Sequence, residues 1–276
     1  MSRLQGGAVS AGGTARSRGT VPLTPDVGPS WLRPLVDNIG QIPDAYRRRL
    51  PADVLAMVTA ARAVAASSSD SSIGRNSRDA AVLVLFSGPE TGPADGSLPD
   101  DADLLLTVRA STLRHHAGQA AFPGGASDPS DAGPVATALR EAREETGIDV
   151  SRLHPLVTME RTFIAPSQFH VVPVLAYSPD PGPVSVVDET ETAIVSRVPV
   201  RALTNPTNRL MVYRGDLGHR WAGPAFLLNQ MLVWGFTGQV ISAVLDVAGW
   251  AKPWDTSDLR ELDEAMVLVG EQGGSR

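Results

Sequence analysis

The sequence has no cysteine, few aromatic residues and a single lysine. Without cysteine, disulfide bonds, thiolate metal sites and cysteine nucleophiles are excluded. Aromatic residues make up only 5% of the 276 residues, so aliphatic side chains must form most of the core. The formal net charge is −6. This charge argues against a nucleic-acid partner, because binding to phosphate backbones needs clustered positive charge.

Long apolar runs are also missing. No window holds the roughly 18 consecutive apolar residues that a membrane-spanning helix needs. The first twenty residues lack the apolar segment of a secretory signal, and their low complexity predicts a disordered tail over residues 1–29. We therefore expect a soluble cytoplasmic protein with no nucleic-acid or membrane partner. The sequence leaves a homodimer open.

Changes in composition divide the rest of the chain into three parts. Residues 30–77 are predicted to form a helical extension and linker, with an Ala-rich helical stretch over 52–66 that ends in a serine-rich loop. The main domain is predicted over 78–252. Residues 253–276 are predicted to form a C-terminal tail, as a short helix or a disordered segment.

Strands and helices are predicted to alternate within the main domain. Short apolar runs bounded by turn residues indicate strands, and 3.6-residue periodicity with proline at the start and glycine at the end indicates a helix. The predicted strands cover 80–86, 103–109, 156–163, 171–177, 193–198 and 209–213, and the predicted helices cover Pro134–Thr146 and 237–247. This order predicts an α/β domain with a mixed sheet.

The first of these helices carries three carboxylates on one face. Glu141, Glu144 and Glu145 stand at positions i, i+3 and i+4. Like charges at this spacing destabilise a helix by about 0.2–0.5 kcal/mol per pair, and a divalent cation would relieve the repulsion. Oxygen ligands of this kind suit Mg²⁺ or Mn²⁺. Arg140 and Arg143 are placed to pair with the acids and fix their rotamers.

Taken alone, an acidic helix that also carries arginines is more often a solvated surface than a metal site. The segment upstream changes this balance. Tandem glycines, Gly124 and Gly125, precede the helix by a short polar loop. Glycines let the backbone approach a ligand closely, and their carbonyl or amide groups can face a metal or a phosphate. The combination favours a metal or phosphate site.

The stretch from Gly125 to Ile148, with Arg140-Glu141-Ala142-Arg143-Glu144-Glu145 at its centre, resembles the Nudix box. This box is the signature of hydrolases that cleave nucleoside diphosphates linked to another group. Here the loop is one residue longer than in the general box, and Asp131 stands where the first glutamate would be.

The resemblance implies an α/β/α sandwich with a mixed β-sheet and a requirement for Mg²⁺ or Mn²⁺. It also implies the metal ligands, which are Glu141, Glu144 and Glu145 with the carbonyl of Gly125.

A second stretch narrows the substrate. Residues 105–121 contain Leu-Leu-Thr and spaced basic residues, and they lead directly into Phe122-Pro123-Gly124-Gly125. This resembles the additional motif of the coenzyme A pyrophosphatase branch of the Nudix family, which also has the lengthened loop with aspartate. The resemblance implies hydrolysis of coenzyme A, and of its thioesters, to 3′,5′-ADP and 4′-phosphopantetheine.

Within this motif, the resemblance assigns substrate binding to Arg109, Arg114, His116, Phe122 and Gly124. Coenzyme A carries a pyrophosphate and a separate 3′-phosphate, and arginine is suited to bidentate contacts with such groups. Without the motif, both arginines are equally well explained as solvated surface residues, and the histidine as a packed side chain.

The general base is less defined by the sequence. In the family it is a glutamate of the box or an acid from a later loop, so Glu141, Glu145, Glu189 and Glu191 are the catalytic candidates. Glu191 aligns best with the acidic position of the branch, and Glu189 is close behind. The alternative for both loop residues is an exposed acidic loop.

Two other functions remain open. The same chemistry could act on another nucleoside diphosphate derivative, such as ADP-ribose or an oxidised nucleotide. A non-catalytic, nucleotide-binding regulatory module is the other alternative, although such a module has no need of three clustered carboxylates.

Overall fold

The computed structural model describes residues 20–48, 78–110, 118–164, 167–215, 221–229 and 231–273. The predicted helix over 52–66 lies outside the described residues. So do two predicted substrate-binding residues, Arg114 and His116.

Within the described ranges, eight strands form the main sheet. They are β1 (Arg78–Ser87), β2 (Asp103–Arg109), β3 (Ala120–Ala121), β4 (Gly124–Ala126), β5 (His154–Thr158), β6 (Thr162–Ile164), β7 (Phe169–Ser178) and β8 (Thr192–Pro199). β1 runs parallel to β7 along one edge. Along its other edge it pairs antiparallel with β2 at one end and β4 at the other. The predicted mixed sheet is confirmed.

The predicted strand over 156–163 is two strands, β5 and β6, which pair with different parts of β7. Pro173 of β7 lies opposite the break, and its carbonyl accepts a hydrogen bond from the Met159 amide at 2.9 Å. Because proline has no N–H, it cannot donate the reciprocal bond. The pairing of strands is interrupted there.

A second, smaller sheet was not predicted as such. In the described part of the chain it contains β9 (Arg209–Arg214), β10 (Trp221–Leu228), β11 (Met231–Val233) and β12 (Leu259–Glu261), in the order β11-β10-β9-β12. β12 is parallel to β9, and the other pairs are antiparallel.

The α-helices are α1 (Arg33–Asp37), α2 (Ile42–Arg47), α3 (Pro134–Thr146), α4 (Val200–Thr204), α5 (Gly235–Val247) and α6 (Leu262–Gly273). Both helices predicted in the main domain are confirmed. α3 has the predicted bounds, and α5 begins two residues earlier than predicted, at Gly235.

Helices cover both faces of the main sheet, because successive side chains of a strand point to opposite faces. In β1, Ala81, Leu83 and Leu85 pack against α3. Val84 and Phe86 point the other way, into the larger core that contains α5. The expected α/β/α sandwich with a mixed β-sheet is confirmed.

The N-terminal segment belongs to this larger core. Trp31 is fully buried. Its indole packs against Phe86, Tyr177 and Trp250, and its Nε1 donates a hydrogen bond to the Pro89 carbonyl at 2.9 Å. α1 and α2 pack against α5. The described part of the predicted extension, residues 30–48, is therefore an integral part of the fold.

Both predicted tails contain segments that pack against the rest of the fold. Disorder over residues 1–29 is wrong for residues 20–29, where the Thr24 amide donates to the Pro155 carbonyl at 2.7 Å. Within the predicted tail 253–276, α6 buries Leu262 and Ala265 against the second sheet. In both cases apolar side chains find a partner surface that composition alone does not reveal. Across the described ranges, no helix combines the length and apolar character needed to cross a membrane.

Candidate active site

The acidic helix α3 lies directly over the tandem glycines of β4. The Gly124 amide donates a hydrogen bond to Glu145 Oε2 at 3.2 Å. A Cβ atom placed on Gly125 would lie 2.6 Å from the carboxylate carbon of Glu141. The helix ends at Gly147, whose φ of +66° is left-handed and suits glycine. Two helix carboxylates are thus pressed against glycine backbone.

Glu145 lies where several charged groups meet. Burial raises the pKa of its carboxyl to about 7, while the Gly124 hydrogen bond and the charge of Arg109 act in the opposite direction. The charges of Glu141 and Glu191 raise the pKa further. The fold therefore brings together α3, the end of β2 and the loop before β8.

Arg140 orients two of the predicted ligands. Its Nη1 donates to Glu141 Oε1 at 2.8 Å and to Glu144 Oε2 at 3.0 Å. The rest of the guanidinium bonds to Asp131 and to the Ala126 carbonyl. This single side chain ties the carboxylates of α3 to the loop that follows β4.

Asp131 anchors that arginine. Its two oxygens accept from Arg140 Nε at 3.1 Å and Nη2 at 3.0 Å, and it also accepts from Thr137 Oγ1 and the Asp128 amide. The side chain is only 7% exposed, and the Arg140 hydrogen bonds lower its pKa to about 2. Sequence analysis located Asp131 at the position of the first box glutamate without giving it a role. The structure shows that it positions Arg140.

The three predicted metal carboxylates differ in their surroundings. Glu141 is half-buried, and desolvation raises its pKa against the opposing effect of Arg140. Glu145 is partly buried and bonded to Gly124. The Glu144 side chain is 53% exposed and points to Arg140. Glu141 and Glu145 face the glycine backbone, whereas Glu144 lies towards solvent.

This donor set fits Mg²⁺ or Mn²⁺ if waters and substrate phosphate oxygens complete the coordination shell of the ion. Among the residues that the structure describes, no three Asp, Glu or His side chains converge closely enough to hold an ion by themselves. Mg²⁺ is typically bound through one or two carboxylates, with waters and substrate phosphate oxygens completing its shell. Glu141 and Glu145, which repel each other beside the Gly125 backbone, match that mode of binding.

Arg109 is held at the edge of this acidic site. Its backbone amide donates to the Gln119 carbonyl at 3.1 Å, and the next amide, of Ala110, donates to the Glu191 carbonyl at 2.9 Å. Its Nε is buried and has no hydrogen-bond partner within the described ranges. Glu191 is thereby fixed beside Arg109 through the backbone, whereas Glu189 stands two residues earlier on the same exposed loop.

Two predicted substrate-binding residues have other roles in the structure. Phe122 is 3% exposed and packs in the larger core, and its assignment as a substrate contact stays a prediction. The Gly124 amide is bonded to Glu145, and a Cβ there would lie 2.6 Å from Val82 Cα of β1. The backbone of the Phe-Pro-Gly-Gly segment therefore supports the carboxylates of Glu141 and Glu145.

The comparisons with known proteins agree with this geometry. Residues 90–214 match the family described as NUDIX domain. The uncharacterized Nudix hydrolase NudL of Yersinia pestis (strain Pestoides F) is 38% identical over 140 residues, which cover 50% of this chain and 68% of that protein. The NudL of Yersinia pseudotuberculosis (strain IP 31758) matches with the same figures.

Two solved structures are similar to parts of this chain. The Nudix hydrolase RenU of M. smegmatis is 25% identical and covers 46% of this chain and 73% of its own, with a TM-score of 0.36. A C. elegans Ap4A hydrolase in a binary complex is 21% identical and covers 45% of this chain and 81% of its own, with a TM-score of 0.35.

Proposed function

This chain belongs to the Nudix hydrolase family, whose members act on pyrophosphate bonds, and we propose that its substrate is coenzyme A or a coenzyme A thioester. The products would be 3′,5′-ADP and 4′-phosphopantetheine. The observation that carries the proposal is the position of the 105–125 segment, which resembles the coenzyme A branch. Its described parts contribute most of β2, all of β3 and most of β4, and so supply both Arg109 and the glycines beneath Glu141 and Glu145.

Arg109 is the proposed contact for a substrate phosphate. Its charge acts on Glu145, so the guanidinium lies near the carboxylates. Its buried Nε lacks a hydrogen-bond partner within the described ranges, and an unmade hydrogen bond of this kind is unfavourable. A phosphate oxygen would satisfy that donor. Arg114 and His116 stay predicted substrate contacts from the motif.

In the reaction, a water oxygen attacks one phosphorus of the pyrophosphate, and a new P–O bond forms as the anhydride P–O bond breaks. We assign the general base to Glu191, which would take the proton from that water. Two observations support Glu191 over Glu189. The charge of Glu191 acts on Glu145, and the backbone carbonyl of Glu191 accepts a hydrogen bond from the Ala110 amide. The leaving phosphate departs as an anion beside Arg109.

Glu141 and Glu145 are the proposed metal ligands, with the Gly125 carbonyl and, at its more exposed position, Glu144. A bound Mg²⁺ or Mn²⁺ would supply charge neutralisation and a lower pKa of the attacking water. The protein's part is to hold the carboxylates in place. Asp131 fixes Arg140, and Arg140 fixes Glu141 and Glu144.

The test is a substrate panel with identified products. The full-length protein is incubated with coenzyme A, ADP-ribose, NADH and nucleoside triphosphates in Mg²⁺ or Mn²⁺, and products are separated by chromatography. We expect 3′,5′-ADP from coenzyme A at the highest kcat/KM of the panel. Turnover of another substrate with no 3′,5′-ADP from coenzyme A would refute the substrate assignment.

A matched pair of variants tests the site. Glu145→Gln is expected to lower kcat by about 100-fold, because it removes a metal ligand. Glu264→Gln, an exposed carboxylate on α6, is the control and is expected to keep wild-type activity. Undiminished activity of Glu145→Gln would contradict the metal assignment whichever substrate is used.

A further inference from the structure

The second sheet meets the main sheet beside Arg109. β11 packs against β3. Gln119, the residue before β3, accepts a hydrogen bond from the Arg109 amide through its carbonyl. The same residue's Nε2 lies 3.2 Å from the point that a Cβ on Gly235 would occupy. Gln119 thus lies between the start of α5 and Arg109, the proposed phosphate contact.

Two polar side-chain atoms are left without partners at this junction. Trp234 Nε1, at the end of β11, and Gln239 Oε1, on α5, are buried and form no hydrogen bond within the described ranges. Gln239 is only 5% exposed. A buried polar atom that loses its hydrogen bond to water without gaining another is destabilising.

Close contacts bring these two residues into one cluster. The indole of Trp234 packs edge-on against that of Trp221, with ring centroids 5.7 Å apart. The Trp221 ring and Gln239 Nε2 both lie beside Gly223, at 2.9 and 3.0 Å from where its Cβ would be. Gly223 therefore leaves room for the tryptophan ring and the glutamine amide to lie side by side.

The chemistry of the two atoms is complementary. An indole N–H can only donate, and an amide oxygen can only accept. A secondary amide has one C=O and one N–H, so it can satisfy both atoms. Both atoms are buried and are not exposed on an open surface. A slender chain therefore fits this position better than a bicyclic purine. Trp234 is partly exposed, so a shift of its ring would admit such a chain.

We propose that Trp234 and Gln239 bind an amide in the arm joined to the diphosphate, which for coenzyme A is the pantetheine arm. This inference rests on the proposed function, and it adds a specificity site on the second sheet. The amide oxygen accepts from Trp234 Nε1, the amide N–H donates to Gln239 Oε1, and the phosphate end of the arm lies at Arg109.

The test measures binding of the two halves of coenzyme A by calorimetry with the full-length protein in Mg²⁺. Trp234→Phe removes the donor and keeps an aromatic ring, and Gln239→Met removes the acceptor and keeps the chain length. Each is expected to weaken binding of 4′-phosphopantetheine about fivefold, the effect of one hydrogen bond. Binding of 3′,5′-ADP is expected to stay at the wild-type level.

Trp250→Phe is the matched control, because Trp250 packs with Trp31 and Phe86, away from this junction. It is expected to leave both affinities unchanged. Unchanged 4′-phosphopantetheine binding in both test variants overturns the inference. A loss shared equally by the two halves, or confined to 3′,5′-ADP, also overturns it. Failure of the proposed function is distinguishable, since wild-type protein would then yield no 3′,5′-ADP from coenzyme A.

Discussion

Glu145 is a carboxyl group whose surroundings favour its protonated form. Burial is the largest cause, and the charges of Glu141 and Glu191 add to it, while Gly124 and Arg109 only partly compensate. In water the same group would be ionised at neutral pH. A site that binds a divalent cation can tolerate this arrangement, because the cation replaces the lost solvation of the carboxylate.

This environment predicts a pH-dependent stability in metal-free protein. The folded-state pKa of Glu145, about 7, lies above its ordinary value of 4.5. Its contribution to stability is therefore fully present below about pH 4.5 and is lost as the pH rises through 7. In EDTA, we expect Glu145→Gln to raise the free energy of unfolding at pH 8 by up to about 3 kcal/mol, and to leave it nearly unchanged at pH 4.

Thermal unfolding of wild type and variant at the two pH values measures this effect. Glu144→Gln is the control on the same helix, because its side chain is largely exposed and its partner is Arg140. It is expected to change Tm by a similar small amount at both pH values. Destabilisation by Glu145→Gln at pH 8 would show that the carboxylate is better solvated than its burial indicates.

At the scale of an element, β4 shows how neighbouring glycines can have different roles. A Cβ on Gly124 would collide with backbone of β1, at the Ala81 carbonyl and Val82 Cα. The atoms nearest to a Cβ on Gly125 belong to the carboxylate of Glu141, the far end of a flexible side chain. The first glycine is required by the sheet and the second by the site.

These contacts predict opposite outcomes for two alanine variants. Gly124→Ala is expected to lower the free energy of unfolding by about 2–3 kcal/mol, because backbone must move. Gly125→Ala is expected to keep nearly wild-type stability and to lose about 10-fold in activity, because Glu141 is displaced. Denaturant unfolding and a pyrophosphatase assay separate the two. Equal effects on both properties in both variants would contradict this division.

Element prediction from the sequence succeeded where the local signals agree with the fold. α3 has proline at its start, glycine at its end and apolar positions facing the sheet. β10 was missed because it contains Gly223 and Pro224, which weaken a strand prediction. The structure accommodates the proline because, among the described residues, β10 pairs at that position with β9 alone, through Met211.

For the whole molecule, the N-terminal segment completes the core. The sheet face opposite α3 needs an apolar cover, and Trp31 supplies part of it with Leu32 and Leu35. Composition suggested a separate extension, because this segment lies far in sequence from the strands it covers. Such long-range packing leaves no local periodicity to read.

We therefore expect Trp31→Ala to destabilise the protein strongly. Removing a fully buried indole typically lowers the free energy of unfolding by about 3–5 kcal/mol, and here the hydrogen bond to Pro89 is lost as well. Val27→Ala, an exposed apolar residue of the same segment, is the control and is expected to change it by less than about 0.5 kcal/mol. Chemical denaturation measures both. A similarly small loss of unfolding free energy in both variants would show that the N-terminal segment packs only loosely against the core.

By itself, the sequence determined the chemistry and the elements that carry it. Carboxylates at i, i+3 and i+4, tandem glycines and turn residues act locally, so they can be read from spacing. Only the tertiary structure decided which residues meet. It places Arg109 and Glu191 near Glu145 and buries Phe122 in the core. It also places Asp131 where its carboxylate accepts hydrogen bonds from Arg140. Those contacts join segments far apart in the chain, and burial and charge are set only when the segments pack together.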